Sequence, residues 1–180
     1  MSLDKIRSEH RRLQHGPLKG ERSAGVGMVM FKVTLPDQIF PTFLEDVKEV
    51  LIKIDERTLQ GTWPTDQEWR SLLPEWFLEK CKPAMTVEEA NAYLVWWDSL
   101  SYEEKLRRAA VLEPWDLSAW ISCFEPCERE WYWWNAVFEQ TGLLITLEVH
   151  SHPFPSEEFL WLCIAAGAEK VEEIHVTEYR

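Results

Sequence analysis

His150, Ser151 and His152 end a segment in which apolar and polar residues alternate, and residues two apart at the end of a strand project to one side. Two imidazoles placed in this way can share a divalent metal ion, with His175 from the following segment or Glu148 from the same face as a further ligand. Glu148 or Glu173 acting as base on metal-bound water would then give a metal-dependent hydrolase. The plain alternative is a pair of solvated imidazoles ahead of the Pro-rich stretch His152-Pro153-Phe154-Pro155. A zinc site needs three or four ligands, and the pair supplies two.

The remaining chemistry-bearing residue types lack the spacing their chemistry requires. Cys123 and Cys127 enclose Phe124-Glu125-Pro126, and the proline places a helix junction between them. Cys81 and Cys163 stand alone, so the four thiols are expected to be reduced and inert, with no disulfide framework and no zinc set. Gly25-Val26-Gly27 precedes a strand instead of linking a strand to a helix, which removes a phosphate-cradling loop. The nucleophile-elbow, zincin and EF-hand patterns are absent. No cofactor is expected beyond a metal ion at the histidines.

Aromatic residues offer a different function. Trp96-Trp97, Trp115, Trp120 and the run Trp131-Tyr132-Trp133-Trp134 cannot all face one core if they are helical, because neighbouring helical residues point about 100° apart. Part of this surface serves either as core filler between thin helices or as a contact surface, where Trp and Tyr bring large area at small entropic cost. The spacing of Trp131, Trp134 and Phe138 predicts a helix over residues 127 to 140, ended by Gly142. On it, Tyr132, Trp133 and Arg129, together with Trp97, are the expected binding residues, and Trp133→Ala is expected to weaken partner binding without unfolding the chain. A Trp-lined cleft that stacks a sugar or another small planar ligand is the third possibility.

Charge supports a protein partner. The chain carries a formal net charge of -12, distributed as +3 over residues 1 to 22 and -15 over the remainder. An acidic body repels phosphate backbones and attracts basic surfaces, so a basic protein is the expected partner and nucleic acid is not. In composition the chain is similar to bacterial immunity proteins, acidic domains that cap toxic enzymes, although the likeness rests on no specific residues. A non-catalytic, immunity-like or regulatory binding module is therefore the preferred expectation, with an enzyme as the runner-up. No apolar run is long enough for a membrane span, and the charged N-terminus lacks the features of a secretory signal, so a cytoplasmic location without a membrane partner is expected.

These residues must be positioned by a core, and 46% hydrophobic residues with eleven Trp supply one. Residues 1–22 read as a basic, flexible leader and residues 23–180 as a single globular domain. Gly27 to Leu35 alternates as a half-buried strand. Thr42 with Glu45, Thr65 with Glu68, Thr86 with Glu89 and Ser101 with Glu104 each carry the capping signature that opens a helix. Leu143 to Val149 alternates again, Ser156 opens a short helix towards Gly167, and Ile174 and Val176 belong to a last strand. The expected architecture is α+β: a small, mixed, three-stranded sheet whose last two strands run parallel, with a Trp-rich layer of short helices inserted after strand one.

Overall fold

A computed structural model describes residues 3–109, 111–139, 142–151 and 153–174. The protein is α+β and Trp-rich, and its described residues form a sheet of four strands rather than three. β1 spans Gly27–Thr34, β2 Trp131–Glu139, β3 Gly142–Val149 and β4 Lys170–Ile174. They lie in the order β2-β3-β1-β4, and every neighbouring pair is antiparallel. β3 and β4 are thus not parallel neighbours as expected, because β1 has entered between them and pairs with both.

The register explains the core. Val29, Phe31 and Val33 of β1 stand opposite Leu147, Ile145 and Leu143 of β3, so their common face is apolar along both strands. Trp131 and Trp133 extend it onto β2, opposite Val149 and Leu147. The helix α8, Glu157–Ala165, covers this face: Phe159 lies 4.9 Å from Phe31 and 5.4 Å from Trp131, ring centre to ring centre.

The largest departure from expectation is β2, which takes the place of the helix that the spacing of Trp131, Trp134 and Phe138 predicts. Aromatic side chains fit a pleated surface better than a helix, and consecutive bulky residues are accommodated when both faces of a strand are covered. Trp131 and Trp133 take the core side while Tyr132 takes the other, against His150. A register shift between Trp133 and Asn135 then re-aims the rest of the strand. Gly142 does not stop a helix; it opens β3 with a φ of 146°, where a Cβ would meet the Val33 carbonyl oxygen at 2.5 Å.

The basic N-terminus is not a flexible leader over its described residues. Leu3–His15 forms helix α1, which packs against β2 and against α2, Phe43–Gln60. Ile6, Glu9 and Leu13 recur on one face at helical spacing, and all three are buried. The capping signatures open the middle helices: reciprocal bonds between Thr65 and Glu68 start α3, Asp66–Leu72, and those between Thr86 and Glu89 start α5, Val87–Ser99. Ser101 and Glu104 do the same for α6, Tyr102–Ala109. Thr42 stands at the start of α2 but its side chain makes no capping bond. α4, Glu75–Leu78, lies between α3 and α5, and α7, Leu117–Ser122, follows α6; they carry Phe77 and Trp120 into the core. Among the described residues no helix is long and apolar enough to cross a membrane.

Candidate functional site

The residues expected to bind a partner divide between two places. Trp133, Tyr132 and Arg129 are buried, so they form no contact surface. Arg129 instead joins three elements. Its Nη2 donates to Glu9 Oε1 of α1 at 2.7 Å, its Nη1 to Asp55 Oδ1 of α2 at 2.9 Å, and its Nε to the Trp131 carbonyl oxygen at 3.1 Å. Glu9 Oε1 also accepts the Trp133 backbone N–H at 2.5 Å, which satisfies a donor on the outer strand of the sheet. Around this centre, Arg12 reaches Glu148 Oε2 at 3.4 Å and lies over the Trp134 ring.

Two carboxyl groups facing one guanidinium leave an excess negative charge unless a proton is retained. Burial pushes Asp55 well above the usual carboxylate range, and the charge on Glu9 adds to the effect against the pull of Arg129. Glu9 is raised by burial too, opposed by Arg129 and by the Trp133 N–H. The remaining oxygens, Glu9 Oε2 and Asp55 Oδ2, are buried without a hydrogen-bond partner, and the interaction between the two carboxyl groups raises Asp55 and lowers Glu9, so a proton retained by the pair belongs on Asp55. Nearby, burial pushes the Tyr132 hydroxyl up to about 12.

A test follows from this shared proton. The folded protein holds it more tightly than the unfolded chain, so its stabilising contribution is complete below about pH 4, the unfolded Asp value, and is lost as pH rises through the folded value. Asp55→Asn keeps a donor towards Glu9 and an acceptor for Arg129 without titrating. Urea unfolding between pH 4 and pH 8 is expected to show the variant gaining on the parent as pH rises, by up to about 1.4 kcal/mol per pH unit within the titration window. Parallel stability profiles would show that Asp55 holds no such proton.

His150 takes part in a different contact from the one its spacing suggested. Its ring nitrogens lie 2.8 and 3.1 Å from the Lys5 ammonium of α1. Burial lowers its pKa, and the neighbouring Lys5 charge lowers it further. Glu148 faces Arg12. His152 and His175 lie outside the described residues, and among the described residues no three His, Cys, Asp or Glu side chains are grouped to hold a metal ion. The thiols are free: Cys163 is buried, Cys127 is exposed, and partial burial raises Cys81 and Cys123 each to about 11.

Trp97 leads to the more open site. In α5, Tyr93, Trp96 and Trp97 occupy positions i, i+3 and i+4 and so share one face. Tyr93 and Trp97 are nearly parallel at 6.1 Å between ring centres, and Tyr93 meets Trp96 at 5.3 Å. Across a cleft of about 290 Å³ stands Trp115, held in place where its carbonyl oxygen accepts the Lys82 backbone N–H at 2.9 Å. Glu113, Asp116 and Glu157 supply carboxylates to the lining, while Lys82 and Arg108 supply cations. The Arg108 guanidinium carbon lies 4.6 Å from the centre of the Trp96 ring.

No family model, curated protein or solved structure matches this chain. The most informative feature is then α5 itself, which buries none of its residues. Its sequence contained a usable signal: Ala90 to Trp97 has no charged residue, and its apolar side chains point in every direction around the helix. A helix apolar on all sides belongs inside a protein, yet this one lies on the surface.

Proposed function

We propose that the protein is a non-catalytic binding module that docks a basic protein partner on the arm formed by α5 and α6. One observation carries this reading: no residue of α5 is buried by the body of the protein, and Leu94 is 58% exposed and Val95 73% exposed. Tyr102 and Leu106 continue the exposed apolar surface onto α6. Large apolar side chains left in water are a source of binding energy, about 1.5–3 kcal/mol for each one fully covered by a partner.

Charge supports the choice of partner. The chain has a formal net charge of -12, and α5 carries Glu88, Glu89 and Asp98 without a single Lys or Arg. Such a surface attracts a basic partner at long range and disfavours a second copy of itself. Glu88 and Glu89 in the first turn and Asp98 in the last flank the apolar residues along α5, an arrangement suited to an apolar anchor with a basic rim.

The partner chemistry can be tested by selecting displayed helical peptides against the purified protein, with a Leu94→Glu/Val95→Glu variant as the counter-target. Enrichment of amphipathic peptides rich in Lys and Arg, which lose at least about tenfold in affinity for the variant, is the expected outcome. Enrichment without a basic bias, or equal binding to both proteins, would overturn the proposal.

A further inference from the structure

We infer that the cleft beneath α5 is a socket for an arginine side chain of the docked partner, and that Arg108 occupies its Trp96 face while the partner is absent. The inference rests on the docking proposal and adds to it the group that is recognised. Its starting point is the position of Arg108. The side chain makes no salt bridge among the described residues, although Glu104 and Glu113 share the adjoining surface hollow with it. It lies instead on the Trp96 ring.

An indole face accepts a cation through its quadrupole, and a guanidinium stacks there while keeping its in-plane N–H donors available. The cleft offers acceptors for those donors. Glu113, Asp116 and Glu157 outnumber the two cations on its lining, and once Arg108 leaves, only Lys82 opposes them. A guanidinium stacked on an indole and forked onto a carboxylate satisfies both features of this cleft together. A neutral sugar would leave the acidic excess uncompensated, and an anion would meet it directly.

Arg108 is suited to the role of temporary occupant. It is exposed, it belongs to the last turn of α6, and one ring contact holds its guanidinium. An incoming arginine must displace it, so its presence lowers the apparent affinity by the fraction of molecules in which the socket is filled. Removing Arg108 should therefore strengthen binding, whereas removing an ordinary lining residue should weaken it.

The experiment is a titration of the full chain with N-acetyl-arginine amide, whose only charge is the guanidinium, followed by NMR through the indole N–H signals of Trp97 and Trp115. Saturable shifts are expected, with affinity raised about threefold to tenfold in Arg108→Ala and lowered by at least about threefold in Trp96→Ala. N-acetyl-lysine amide is expected to bind more weakly than the arginine compound, and glucose to leave the signals unmoved. Unchanged or weaker binding in Arg108→Ala, or equal shifts with glucose, would overturn the socket. Trp96 is 38% exposed, so its replacement should leave the dispersed amide spectrum of the fold intact. If basic helices are selected on the arm but acetyl-arginine amide does not bind, the socket fails alone; if no basic helix is selected while the amide titrates as expected, the docking proposal fails.

Discussion

Arg129→Ala is expected to destabilise the folded protein by about 3–5 kcal/mol at neutral pH, the cost of leaving a buried charge without its partner. Arg129 is 5% exposed, and Glu9 and Asp55 are wholly buried around it. The substitution removes the donors to Glu9 Oε1, to Asp55 Oδ1 and to the Trp131 carbonyl oxygen in one step. Glu9 would then have to remain charged without its cation or take up a proton. Lower pH favours the second course, so the defect should be smaller at pH 5 than at pH 8. Combining Arg129→Met with Glu9→Gln and Asp55→Asn should restore much of the lost stability, because neutral groups need no counter-charge and the amide oxygen introduced by Glu9→Gln can still accept the Trp133 N–H. Denaturant unfolding of the single and triple variants at both pH values measures this. A single variant within about 1 kcal/mol of the parent would mean that the network contributes little, as exposed ion pairs do.

Trp133→Ala is expected to cost a similar amount, about 3–5 kcal/mol, through the void it opens in the core. Trp133 is fully buried in β2, opposite Leu147, with the Lys48 ammonium 5.9 Å from its ring centre. Its backbone N–H would still reach Glu9, so the loss belongs to side-chain packing. Comparison with Trp97→Ala separates the two Trp environments: Trp97 is only partly buried in the cleft lining, and its removal should cost far less stability. Urea midpoints of the two variants decide the matter. A stable Trp133→Ala protein with impaired partner binding would return the contact surface to β2.

The contrast between these two tryptophans also shows which parts of the fold were legible in the sequence. Capping boxes are local, and those beginning at Thr65, Thr86 and Ser101 appear where their spacing placed them. β1 and β3 were legible because apolar core residues recur at every second position, Val29, Phe31 and Val33 in one and Leu143, Ile145, Leu147 and Val149 in the other. β2 was not, because Trp131, Tyr132 and Trp133 are covered on both faces and a two-sided strand shows no alternation. The role of α1 was hidden for another reason: Glu9 and Arg12 look like solvated charges until Arg129 and Glu148, far along the chain, are placed beside them. Of the candidate site, Trp97 was identified and the capped start of α5 was visible, but its exposure depended on what the rest of the chain left uncovered.

The central place of β1 in the sheet bears on how the protein is made. Its two partners come from the other end of the chain, with Gly27 paired to Val149 and Met30 to Ile174. During synthesis β1 emerges early, with Val29, Phe31 and Val33 ready for burial and neither flanking strand yet in existence. The capped helices of the middle can form as they appear, since their contacts are local, while the sheet waits for the closing of very long loops. Sheet assembly therefore cannot be completed before Ile174 has been synthesised, and throughout that interval the apolar face of β1 lacks the strands that flank it and is open to aggregation.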